Sequence, residues 1–146
     1  MTHRNPDQLT KLLRQSALKK RATEITSRWA RLGVSVSPVS HEKYWLLIDR
    51  LRGGHSWPLQ FTDRLSDELR AFIADRDIVT IIGWNVDDEP ALLVGTEPLL
   101  RSTARLTEVY PDGFILVDEI NQSALLVDVD EEMGTHTNTF EMPGHA

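Results

Sequence analysis

At Arg76 the chain changes its hydrophobic rhythm, and that change limits the folds open to it. Before it, apolar residues recur at helical spacing. After it they come in short β-branched runs separated by Pro, Gly, Asn and Asp. Helices first and strands second predict an α+β domain: three N-terminal helices packed on a mostly antiparallel C-terminal strand meander. With 146 residues, 40% of them hydrophobic, the chain is long enough for one domain with its own core. We expect a single domain over residues 1–146, helical over 1–76, a meander over 77–132 and a flexible tail over 133–146.

The helical half is punctuated clearly. Asn5 and Pro6 suit the N-cap and first position of a helix, and Gly33 suits its terminator. Between them Leu9, Leu12, Leu13, Ala17, Ala22, Ile25, Trp29 and Leu32 mark an apolar face. Lys11, Arg14, Lys19, Lys20, Arg21, Arg28 and Arg31 decorate the remainder. Residues 34–38 read as an extended connector. Ser40 caps a second helix to Arg52, burying Tyr44, Trp45, Leu47, Ile48 and Leu51. Residues 55–61 read as a loop, and Thr62 caps a third helix to Asp75, with Leu65, Leu69, Phe72 and Ile73 inward.

In the second half, residues 78–84 and 91–94 are expected strands flanking an acidic turn at 85–90. Residues 97–101 fit either a helical turn or an irregular crossing. Residues 106–110, 114–117 and 124–129 are further expected strands, with a turn at 111–113. Beyond Glu132 no periodicity remains.

The charge divides at the same point. Residues 1–76 carry 14 Lys+Arg against 8 Asp+Glu, and residues 77–146 carry 2 against 14. Either the two halves neutralise each other, or one presents a charged surface to a partner. No cysteine is present, which excludes a disulfide framework, a thiolate metal site and a cysteine nucleophile. No apolar run approaches a membrane span and no signal-like segment opens the chain, so a cytoplasmic location without membrane contact is expected.

Catalytic patterns are missing. His41, His55 and His136 form no His-x-x-x-His pair. Counted from Asp128, an EF-hand would need Gly and Glu where Met133 and Thr139 stand. There is no nucleophile elbow, and Gly53-Gly54 lacks a phosphate-loop context. We therefore expect no enzyme, no metal and no cofactor; the loop around His55 is the remaining candidate pocket.

Three acidic clusters offer a different chemistry: Asp87, Asp88 and Glu89; Asp118 and Glu119; and Asp128, Asp130, Glu131 and Glu132. Placed at strand ends, they would form a negative rim, with Trp84 as an aromatic anchor. The expected partner-binding set is Trp84, Asp87, Asp88, Glu89, Asp118, Glu119, Asp128 and Asp130. Tyr110 and Phe114 lie close by in sequence.

Through its segments at 84–89, 110–114 and 124–132, the stretch from 78 to 132 resembles bacterial toxin-immunity proteins of the contact-dependent or type VI kind. The resemblance implies an inhibitor that binds a cognate toxin, often a basic nuclease, and blocks its active site or substrate surface. Such a partner presents Lys and Arg where phosphates bind, and carboxylates can mimic those phosphates. The resemblance does not account for the basic first helix. That helix supports two alternatives, a nucleic-acid-associated or regulatory module and a helix-mediated homodimer.

Overall fold

The computed structural model describes residues 6–52, 59–85 and 89–142. Its centre is a seven-stranded antiparallel sheet in the order β1-β4-β3-β5-β6-β7-β2. The strands are β1 (Val36–Pro38), β2 (Gln60–Phe61), β3 (Ile78–Gly83), β4 (Ala91–Gly95), β5 (Gly113–Asp118), β6 (Ser123–Asp130) and β7 (Gly134–Glu141). The helices are α1 (Pro6–Arg31), α2 (His41–Arg52), α3 (Leu65–Phe72), α4 (Thr96–Arg101) and α5 (Leu106–Val109), with a 3-10 turn at Thr103–Arg105.

The α+β class is as expected, but the arrangement of three N-terminal helices on a C-terminal meander is not. Among the described residues five helices are interspersed with the strands, and the helical half supplies both sheet edges, β1 and β2. The connector at 34–38 pairs with β4, and the end of the expected loop at 55–61 pairs with β7. The third helix stops at Phe72 rather than Asp75, which adopts a left-handed φ of 64°.

Period two explains why the central strands carry apolar side chains on both faces through most of their length. Val79, Ile81, Phe114, Leu116, Leu125 and Val127 point into one core with Ile25, Trp29 and Leu69. Ile82, Ile115, Val117, Ala124 and Leu126 point into a second core with Tyr44, Leu47, Ile48 and Leu51. A sheet covered on both faces needs apolar side chains at every position, not at alternate ones. Helix α1 contacts the edge strand β1 and serves both layers, Leu18 in one and Ile25 and Trp29 in the other. Its first turns do not pack as expected: Leu9, Leu12 and Leu13 remain 47%, 43% and 64% exposed.

Two expected elements are corrected. Leu106–Val109 form α5, not a strand, and the buried positions are Leu106, Val109 and the following Tyr110. That is helical i, i+3, i+4 spacing, and Arg105 and Glu108 pair at i, i+3 on the outer side. The expected tail at 133–146 contains β7, paired with β6 along its full length. Its Thr135, Thr137 and Thr139 alternate with a strand's period, and Thr137 donates to the Glu68 carboxylate of α3 at 3.0 Å.

Gly113 lets β5 and β6 approach. Its φ is +113°, and a Cβ there would lie 2.1 Å from the Val127 carbonyl oxygen. Gly33, at φ +75°, has nothing within 4 Å of the same position. Gly113→Ala should cost about 3 kcal/mol or more, combining strain with overlap against backbone. Gly33→Ala should cost about 1–2 kcal/mol, the left-handed penalty alone. Urea midpoints of the two variants check the contrast.

Candidate functional site

Sheet register decides which acidic residues can act together. Gly83 pairs with Phe114, Gly113 with Asp128, and Asp130 with Gly134. The segment after β3, the turn before β5 and the β6–β7 turn therefore share one end of the sheet. Lateral hydrogen bonds stitch them together: the Trp84 amide donates to the Gly113 carbonyl at 3.1 Å, and the Val129 amide to the Asp112 carbonyl at 3.3 Å. This end carries Glu89, Asp112, Asp128, Asp130, Glu131 and Glu132; of these, Asp112, Asp130, Glu131 and Glu132 are exposed. Asp87 and Asp88 lie outside the described residues, as does His55.

Of the acids here, Glu89 is drawn inward. Its carboxylate receives a forked contact from the Arg21 guanidinium, 2.8 Å at the closest, and its side chain is only 14% exposed. The partnership raises the pKa of Arg21, the Glu89 hydrogen bond being the larger cause and Glu24 adding to it. Glu89 thus fastens the β3–β4 connection to α1. The close fit at Gly83, where a Cβ would meet the Glu89 side chain at 2.6 Å, fixes the same contact from the sheet side.

Asp130 shapes the β6–β7 turn. Its carboxylate accepts the amides of Met133 at 2.9 Å and Glu132 at 2.7 Å, and those bonds lower its pKa. The turn holds Glu131, Glu132 and Met133 outward, Met133 being 67% exposed. Trp84 is half-buried against the second core. Tyr110 and Phe114 are core residues, and the Tyr110 hydroxyl accepts the Trp29 indole N–H at 3.2 Å. Burial raises the Tyr110 pKa and keeps that hydroxyl protonated at neutral pH.

The third expected cluster lies elsewhere. Asp118 ends β5 at the opposite end of the sheet, about 17 Å from Gly113 at strand spacing. It is 3% exposed and accepts Arg76 Nε at 3.1 Å, the Ile120 and Asn121 amides, and the Asn121 side chain. Its role is to close the β5–β6 hairpin. Glu119 beside it is exposed, at that same far end. Asp112, which belongs to none of the three sequence clusters, joins the rim instead; a lone acid between Pro111 and Gly113 gives no signal beyond its turn.

The basic face of α1 is partly spent internally. Arg21 serves Glu89 and Glu24, Arg28 donates to the Val109 carbonyl at 2.9 Å, and Arg14 stacks over Trp45 with 5.1 Å to the ring centroid. Lys11, Lys19, Lys20 and Arg31 stay exposed. Among the described residues no group of three or more His, Asp or Glu is placed to hold a metal ion. No helix of the described residues is long and apolar enough to cross a membrane.

Two outcomes follow from this geometry. Asp118→Ala should destabilise the fold by about 3–5 kcal/mol, because it strands the half-buried Arg76 guanidinium and two hairpin amides; chemical denaturation measures it. Asp130, with its folded pKa lowered, contributes stability above the unfolded value that is lost as pH falls through the folded one. An NMR carboxyl titration should place it below the ordinary aspartate value of about 3.9, and Asp130→Asn should remove that part of the acid dependence.

In comparisons with known proteins, no family model, no curated protein and no solved structure matches the chain significantly.

Proposed function

We propose that the chain is a non-enzymatic, protein-binding inhibitor of the toxin-immunity kind, which engages a basic partner through the acidic end of its sheet. The observation that carries this reading is the convergence of Asp112, Asp130, Glu131 and Glu132, exposed, on two neighbouring turns at one end of the sheet. Fixed carboxylates on a braced sheet end steer a cationic protein into register and meet its phosphate-binding side chains without reorganising. Met133 and Trp84 add apolar surface beside the charges, as tight interfaces require. A nuclease domain is the partner whose chemistry fits best, since its substrate surface is cationic.

A nucleic-acid role through α1 receives less support, because Arg14, Arg21 and Arg28 already have intramolecular partners. The test is capture with the basic proteins encoded beside this gene, followed by association kinetics on the captured partner. Reversing Asp112, Glu131 and Glu132 to Lys, which spares the Asp130 turn, should slow association by about tenfold or more at low salt. Reversing Glu97 and Glu119, at the far end, should change it by less than about twofold. Equal effects from both sets would refute the assignment of the acidic end.

A further inference from the structure

A concave surface on the α1–α2 side begins at the acidic end of the sheet, just past Glu89 at Pro90 and Ala91. Between α1, the start of α2 and the β1–β4 edge runs a groove of about 580 Å³, within the usual range for small-molecule sites. Its floor is Leu18, Ala22, Val39, Tyr44, Pro90 and Ala91. The edge is held by the Val39 amide, which donates to the Ala91 carbonyl at 2.9 Å. On the α1 side, Gln15, Lys19, Thr23, Thr26 and Ser27 form the rim.

These α1 positions follow i, i+3, i+4 spacing, so a single helix face overhangs the groove. That face carries Ala, Thr and Ser where contact with α2 would need large side chains, and the gap follows from it. Among the described residues no acidic side chain lines the groove, and Lys19 has no ion-pair partner. On the α2 side, the His41 Nε2 accepts the Trp45 indole N–H at 2.8 Å, which holds the imidazole at the mouth. An apolar floor with one lysine and several hydroxyls on its rim suits a molecule with an apolar body and one anionic head.

We infer that this groove binds a small amphipathic carboxylate, its chain along Leu18, Ala22 and Ala91 and its head at Lys19 and the neighbouring hydroxyls. None of Asp112, Asp130, Glu131 and Glu132 lines the groove.

Decanoate is the probe, followed by amide shifts in two-dimensional NMR, with decyltrimethylammonium as the same tail carrying the opposite charge. We expect saturable decanoate binding near ~100 µM, in line with about a dozen heavy atoms in a partly open site. The shifts should centre on Ala22, Val39 and Ala91, and the cationic analogue should bind at least about tenfold more weakly. Lys19→Met, at an exposed position, should weaken decanoate about fivefold, and Ala22→Phe should abolish binding by filling the groove. Equal binding of the two probes, or shifts centred on the exposed Leu9, Leu12 and Leu13, would overturn the inference. So would saturation absent below 1 mM, on the order of a tenfold miss. Should Ala22→Phe fail to fold, the wild-type shift map and Lys19→Met still decide.

Discussion

Strands β3, β5 and β6 are covered on both faces, and this double burial governs the rest of the molecule. A two-sided sheet needs two apolar layers above and below it. The chain builds one from α3, α4, α5 and the C-terminal half of α1, the other chiefly from α2. Because α1 feeds both, it must run beside the sheet edge, and the Arg21–Glu89 contact fastens it there. The edge-to-face contact of Trp29 with Tyr110, centroids 6.0 Å apart, ties the same helix to the turn ahead of β5. Removing α1 would therefore expose both layers at once.

Much of this was legible in the residues. The Ser40 cap is present, its hydroxyl accepting the Lys43 amide at 3.3 Å, and Gly33 ends α1 at positive φ. Continuous apolar runs marked β3, β5 and β6, because double burial leaves few polar positions, Thr80 among them, to confuse the pattern. The failures share one cause, which is context beyond the local window. Residues 106–110 are too short and too mixed in pattern to decide alone, and the joint burial of Leu106, Val109 and Tyr110 reveals the helix. In β7, threonine replaces aliphatics because only Thr137 and Phe140 are buried, so polarity hid the strand. Leu9, Leu12 and Leu13 have the right spacing and yet stay exposed among the described residues.

The acidic surface was legible in composition but not in arrangement. Pairing register separates acids that look equivalent in sequence: those ending β6 meet Asp112, while Asp118 is carried to the other end of β5 and enclosed. An acid's position within a strand, and not its membership of a cluster, decides whether it reaches solvent. The same register brings Arg76 onto Asp118, which converts two charges flanking the central strands into a structural lock. The −6 formal charge is thus distributed by topology, with part of the opposing charge neutralised inside the fold.

The two outermost strands are stubs of three and two residues, and Pro38 closes one of them without an amide hydrogen to offer. On the β1 border a second molecule finds hardly one repeat of backbone, whereas on the other β2 pairs only His136 and Thr137 and leaves Asn138–Glu141 of β7 without an outer strand partner among the described residues. Seven strands side by side are a natural template for stacking into fibrils. In this chain the helical half supplies a full stop at β1 and a partial one at β2, so the outer edge of β7 is where growth beyond one molecule would start.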